Sequence, residues 1–228
     1  MLEDGQQENM KNVIIAGGTG MVGGLVLEEC LNDSGVAKVT SIVRKPTGIG
    51  HDKLEEVIHE DFLDFSPIAD RFKNQDICFY CVGVYTGTVP KDTFREITVD
   101  YTRAFAETLR LHNDQTTFCF LSGQGADLKQ QSRIMFARDK GAAENLIIQL
   151  NFDQTYLFRP GYIYPVTLRK EPNLGYKLMR ILYKPILSKL YPNIGVPSLQ
   201  LAQVMVNVAL NGADKVIFEN RDIKEHSN

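Results

Sequence analysis

The sequence predicts an α/β fold: a doubly wound parallel sheet with helices on both faces and a small C-terminal helical cap. Three observations predict it. Short apolar runs of strand character alternate with stretches of helical periodicity. Several of these runs are continuously apolar, as strands are when both faces of their sheet are covered. The first run passes through a glycine-rich turn directly into a helical pattern, the βα opening of such sheets.

Asn12–Ala16 reads as the first strand, and a helix begins near Met21. Between them lies Gly17-Gly18-Thr19-Gly20-Met21-Val22-Gly23. Strand, glycine turn and helix in this order form a dinucleotide pyrophosphate site. Gly17 permits the tight turn, Gly20 lets the backbone approach the phosphates, and Gly23 lets the helix pack on the strand. The helix N-terminus then turns N–H groups and a positive dipole end toward the anion. Thr19, Met21 and Val22 complete the loop. A glycine hexamer alone is also a plain turn; its flanks favour the nucleotide reading.

Lys38–Val43 is the second strand, and it ends in Arg44-Lys45-Pro46. Sites for NAD place an acid there for the ribose 2′-hydroxyl. No acid is present. Arg44 suits the adenine face and a 2′-phosphate, with Lys45 adding charge. The expected cofactor is therefore NADP (NADPH). Without the glycine turn, Arg44 and Lys45 would read as solvated loop charges. Glu56–His59 is the third strand. Asp61 beyond it either accepts a bond from the adenine amine or caps the next turn. Ile77–Val82 is the fourth strand, closing in Cys81-Val82-Gly83, where Gly83 lets the cofactor lie against the backbone.

A helix begins near Lys91. Thr117–Leu121 follows as the fifth strand and delivers Ser122 to the crevice end of the sheet. A helix near Ile134 carries Phe136 and Lys140, which share one face at i,i+4 spacing. Thr155–Arg159 is the sixth strand, and Pro160-Gly161 then fixes a turn. That turn either contacts the carboxamide or substrate, or is a simple strand exit. A helix near Leu199 and a strand at Val216–Glu219 end the pattern.

The segment Thr167–Pro197 interrupts the rhythm, within an expected substrate-side cap at 162–198. Leu178, Ile181, Leu182, Ile186, Leu187 and Leu190 recur at helical spacing among Lys177, Arg180, Lys184 and Lys189. Such a stretch suits a membrane surface or a substrate-side cap. Pro185 interrupts any long helix and favours the cap.

Length and composition bound the rest. The 228 residues predict one domain spanning 1–228, and 43% hydrophobic residues suffice for its core. A formal charge of −3 offers no field for nucleic acid. Met1–Lys11 lacks the apolar core of a signal peptide, and no apolar run reaches membrane-spanning length. Stable membrane insertion is therefore not expected. Cys78 and Cys81 have redox-motif spacing. In a strand, however, residues an odd number apart face opposite ways, so both read as buried thiols, like Cys30 and Cys119. A reducing cytoplasmic location fits. No metal site is expected.

Taken together, Gly17–Gly23, Arg44, Cys81-Val82-Gly83, Val99-Asp100, Leu121–Asp127, Lys140-Gly141-Ala142-Ala143-Glu144 and Phe158-Arg159-Pro160-Gly161 carry a resemblance. From about Lys11 to Glu219 the chain resembles the Tat-interacting-protein (oxidoreductase) branch of atypical short-chain dehydrogenases. That branch is related to isoflavone-reductase-like and nucleotide-sugar-epimerase-like groups. The resemblance implies a Rossmann fold that binds NADPH, with Ser122 and Lys140 in the active site. Short-chain dehydrogenases pair a serine with Tyr-x-x-x-Lys, where the tyrosine shuttles the proton and the lysine lowers its pKa and holds the nicotinamide ribose. Here Phe136 stands where the resemblance places the tyrosine, and a phenyl ring has no proton to give.

Three accounts of that gap follow. Another hydroxyl supplies the proton, with Tyr85, Tyr162 and Tyr164 near strand ends. The protein binds NADPH without turnover, as a regulator or scaffold. Or slow reduction of a carbonyl or enone proceeds through Ser122 and water. A nucleotide-sugar epimerase is a weaker alternative, since the region after Pro160 is short and such enzymes also need the tyrosine. The partner is a small-molecule substrate or an unspecified protein. A homodimer through the helices after Lys91 and Ile134 is one arrangement the pattern allows.

Overall fold

The computed structural model describes residues 10–166 and 193–227. Seven strands form one parallel sheet: β1 (Lys11–Ala16), β2 (Val36–Val43), β3 (Leu54–Ile58), β4 (Ile77–Tyr80), β5 (Thr117–Leu121), β6 (Gln154–Arg159) and, last in sequence, β9 (Ile217–Glu219). Their spatial order is β3-β2-β1-β4-β5-β6-β9. The order reverses direction between β1 and β4, which opens the crevice at their carboxyl ends.

Side chains along β1 show why both faces are apolar. Val13 and Ile15 enter one core, while Ile14 and Ala16 enter the other. The first core packs under α1 (Gly23–Asn32) and α5 (Ser198–Asn211), through Val26, Leu27, Leu201 and Met205. The second packs under α3 (Tyr101–His112) and α4 (Met135–Gln149), and it is largely aromatic. At its centre Phe105 sits 5.0 to 5.4 Å from the rings of Phe65, Phe72 and Tyr80. Cys78 belongs to this second core and Cys81 packs against the first, so the two thiols do face opposite ways. Burial pushes the Cys30 and Cys81 thiols up to about 12, and all four cysteines are free.

Several boundaries differ from the sequence reading. β3 begins at Leu54 and ends at Ile58, earlier at its start than the expected Glu56. β4 stops at Tyr80 rather than Val82, although the Cys81 N–H still donates to the Ala16 carbonyl at 2.8 Å. The helix expected from Lys91 is three pieces: α2 (Lys91–Arg95), a π turn at Glu96–Asp100, and α3. A 3₁₀ turn at Ser66–Phe72 was not visible in the pattern. Nor was a second, two-stranded parallel sheet of β7 (Tyr162–Tyr164) and β8 (Gly195–Pro197). The last helix, α6 (Asn220–Glu225), opens on a reciprocal capping box between Glu219 and Asp222. Most of the expected cap, residues 167–192, lies outside the described residues. Among the described residues no helix is long and apolar enough to cross a membrane.

Candidate functional site

A cavity of about 320 Å³ lies at the carboxyl ends of β1, β4, β5 and β6. It is lined by the glycine turn at Gly20–Gly23, by Cys81–Thr86, by Leu121–Gly123, by Phe136 and Lys140 of α4, and by Pro160, Gly161 and Ile163. The fold thus brings together most of the residues singled out from sequence. A larger cavity, about 610 Å³, sits at the opposite ends of the strands, between Lys11, Asp76, Thr117 and Gln154. Ligands of open α/β sheets bind at the carboxyl ends, which favours the smaller one.

The glycine turn is built by two close approaches. Gly17 has φ +88°, and a Cβ there would lie 2.6 Å from the Cys81 carbonyl. A Cβ on Gly23 would overlap the Gly17 carbonyl. The Gly20 N–H closes the turn by donating to that carbonyl at 2.9 Å. Beside Gly20 and Gly83 the situation is different. Gly83 has no atom within 4 Å of a built Cβ, and Gly20 has only the Gly17 oxygen at 3.2 Å. This open strip is where a dinucleotide would run along bare backbone, and the residues present fit it.

At the inner end, Ser122 is buried and its hydroxyl finds no hydrogen-bond partner among the described residues. A buried hydroxyl without a partner costs about 1–3 kcal/mol, a cost that a ligand bringing an acceptor or donor would relieve. Lys140 donates to the Leu121 carbonyl at 3.2 Å and lies 5.1 Å above the Phe120 ring. Burial pulls its pKa from 10.5 down to about 8, with the Glu144 carboxylate and Cys81 opposing that fall. Phe136 fits against the bare backbone of Gly123, where a built Cβ would meet its ring tip at 2.5 Å. On the far side its ring sits 6.3 Å from Phe94. Between Phe136 and Lys140, buried Asp139 accepts from Arg95 at 2.9 Å.

Behind Lys140, Glu144 is fully buried and takes Arg159 in a two-pronged pair, Nε to Oε1 at 2.9 Å and Nη2 to Oε2. Arg159 also reaches Glu219 at 3.7 Å. This fixes the exit of β6, from which Pro160 and Gly161 enter the cavity wall. The bond and charge of Glu144 raise the Arg159 pKa further.

The lysine carries a stability cost with a definite pH signature. Below pH 8 both folded and unfolded chains hold the ammonium, and its burial costs on the order of 3 kcal/mol. Between about 8 and 10.5 the unfolded state binds the extra proton, so the cost fades as pH rises. Lys140→Met is therefore expected to melt higher than wild type at pH 7, with the gap closing by pH 10. A gap that does not change with pH would refute this.

Other candidates are placed as follows. Tyr85 lines the cavity. Tyr162 does not, because side chains alternate along β7 and Ile163 takes the inward position. Arg44 and Lys45 are exposed just beyond β2, outside the cavity. The Asp61 carboxylate accepts from the Leu63 N–H at 2.9 Å, the capping alternative. Tyr101 was missed in the sequence. Burial raises its pKa, Glu96 and Asp61 add to the rise and Arg44 opposes it, which puts these groups in one neighbourhood. The π turn directly before α3 sets this position.

A family model described as NAD(P)H-binding matches residues 17–212. The chain belongs to this NAD(P)H-binding family. Relatives that cover most of its length include the following. Protein HTATIP2 of Rattus norvegicus is 28% identical over 225 residues, 97% of this chain and 90% of the relative. Protein fmp52, mitochondrial, of Aspergillus niger is 25% identical over 91% of this chain and 89% of the relative. Among solved structures, UDP-N-acetylglucosamine 4-epimerase from Methanobrevibacter ruminantium M1 superposes with a TM-score of 0.67 at 15% identity, over 92% of this chain and 76% of that one. The NAD(P)H-binding family thus accounts for both the seven-stranded sheet and the glycine turn at its switch point. A reduced dinucleotide supplies a hydride when bound. The bare backbone at Gly20 and Gly83 is where it would be held, with Ser122 and Lys140 lining the same cavity.

Proposed function

We propose that the protein is an NADP-dependent reductase of a small carbonyl or enone substrate. One observation carries the reading: the Ser122 hydroxyl, without a partner among the described residues, and the buried Lys140 line one cavity that also takes in Gly20 and Gly83. In this reading Ser122 binds the substrate oxygen, Pro160 and Gly161 border the nicotinamide, and the chain is a single domain with 162–198 on the substrate side. Asp61 remains a candidate for the adenine edge, since the bond from Leu63 leaves its carboxylate further acceptor sites.

Arg44 supports NADP over NAD, because a guanidinium at the end of β2 suits a phosphate and no acid follows it there. Arg44→Ala is expected to weaken NADPH binding about 10- to 100-fold, the worth of a charge-assisted bond, and to leave NADH binding unchanged. Fluorescence titration with both cofactors checks this. An equal loss for the two would remove the assignment.

A second reading has its own support. Phe136 stands where the resemblance places the proton-shuttling tyrosine, which favours a protein that binds NADPH and signals its occupancy without turnover. Phe136→Tyr separates the readings: activity on ketones gained only in the variant supports the regulator, and wild-type turnover supports the reductase.

A further inference from the structure

We propose that Lys140 is the proton donor of the reduction, its ammonium delivering directly to the substrate oxygen the proton that a tyrosine would otherwise carry. The inference rests on the reductase reading and assigns the step that Phe136 leaves vacant.

Three observations lead to it. The ionisable side chains in the described lining are Cys81, Tyr85 and Lys140. Cys81 is held near 12 by burial, too weak an acid to serve near neutrality. Lys140 enters at the same strand end as Ser122: its Nζ donates to the carbonyl of Leu121, the residue just before that serine. The amine thus lies against the backbone that leads into Ser122, and both residues line one cavity. Finally, Phe136, one helical turn earlier and in the same cavity lining, packs its ring tip against Gly123 and has no proton to give.

The surroundings suit the task. Glu144 faces Lys140 from its own helix and is itself occupied by Arg159 of β6. Cys81 faces it from the end of β4, and the Phe120 ring from β5. Burial outweighs these and brings the ammonium to about 8, so acid and base forms both exist near neutral pH, as a general acid needs.

The step balances. A hydride from the reduced dinucleotide adds to the carbonyl carbon, and the C=O π pair moves to oxygen. An O–H bond forms as an N–H bond of Lys140 breaks. The neutral amine then takes a proton from water, so one proton is consumed per turnover.

The test compares wild type, Lys140→Arg and Tyr85→Phe, using NADPH with cyclohex-2-enone and phenanthrenequinone as probes. Arginine keeps a positive charge for the cofactor but does not release a proton near neutrality. Wild-type kcat is expected to fall above pH 8. Lys140→Arg is expected to lose about 100-fold or more in kcat with NADPH affinity little changed. Lys140→Met replaces it if arginine does not fold. Independently of activity, ¹³C-lysine NMR of the protein alone should show one resonance, absent in Lys140→Arg, titrating near pH 8. Retained turnover in Lys140→Arg, a collapse confined to Tyr85→Phe, or a lysine midpoint above pH 10 would each overturn the proposal. NADPH binding without turnover of either probe also overturns it and leaves the non-catalytic reading. Failure to bind NADPH overturns the reductase reading itself.

Discussion

Glu144→Ala lowers the unfolding free energy by about 3–5 kcal/mol, measured by urea denaturation at neutral pH. The size follows from what the substitution leaves behind. Glu144 is fully buried, and the Arg159 side chain that it holds is only 12% exposed. Removing the carboxylate strands a guanidinium in a mostly dry site, with Glu219 at 3.7 Å as its remaining acidic partner among the described residues. For a domain whose whole stability is about 5–15 kcal/mol, that is a large fraction. Glu144→Gln keeps the shape and one acceptor and should lose less. A loss under about 1 kcal/mol in the alanine variant would mean that the pair is solvated and that Arg159 finds water. The same variants affect Lys140, because the Glu144 charge is the strongest influence keeping its ammonium from titrating lower still.

Gly20→Asp loses NADPH affinity by at least about 100-fold while the fold survives. The two halves of this expectation come from different observations. A side chain at Gly20 meets little: its Cβ has only the Gly17 oxygen at 3.2 Å, and the residue is exposed. The chain therefore tolerates it. The bound pyrophosphate does not, since two like charges about 4 Å apart at an effective dielectric near 20 repel by about 4 kcal/mol. Gly23→Ala is the contrasting control. Its methyl overlaps the Gly17 carbonyl, so it should disturb the turn and the melting temperature together. Cofactor titration beside a thermal melt separates the cases. Unchanged affinity in Gly20→Asp would dismiss the glycine turn as the pyrophosphate seat.

The sheet was legible because its strands are buried on both faces. Ile77, Cys78, Phe79 and Tyr80 are all buried, and so short and unbroken an apolar run marks a strand covered from both sides. The crevice side was legible for a related reason: the residues just past each strand, such as Ser122 and Gly83, fall at the same edge in a parallel sheet. What escaped notice depends on short or irregular local structure. Strands β7 and β8 have three residues each, too few for a periodic signal, so the inward turn of Ile163 in place of Tyr162 could not be read. The π turn at Glu96–Asp100 adds a residue to the helical count, and the face of α3 that carries Tyr101 rotates with it. Asp61 was readable as a cap or an adenine contact, and only the position of the Leu63 N–H distinguishes the first. The charge at Lys140 was also hidden, because a lysine in sequence does not announce its burial.

The seat of Gly17 is the backbone of Cys81, sixty-four positions further along the chain, reached through the pairing of β1 with β4. The loop that would hold the diphosphate is thus only half encoded by its own residues. Its grip emerges when two remote stretches zip together, and a peptide excised around the fingerprint would keep the letters but not the hold.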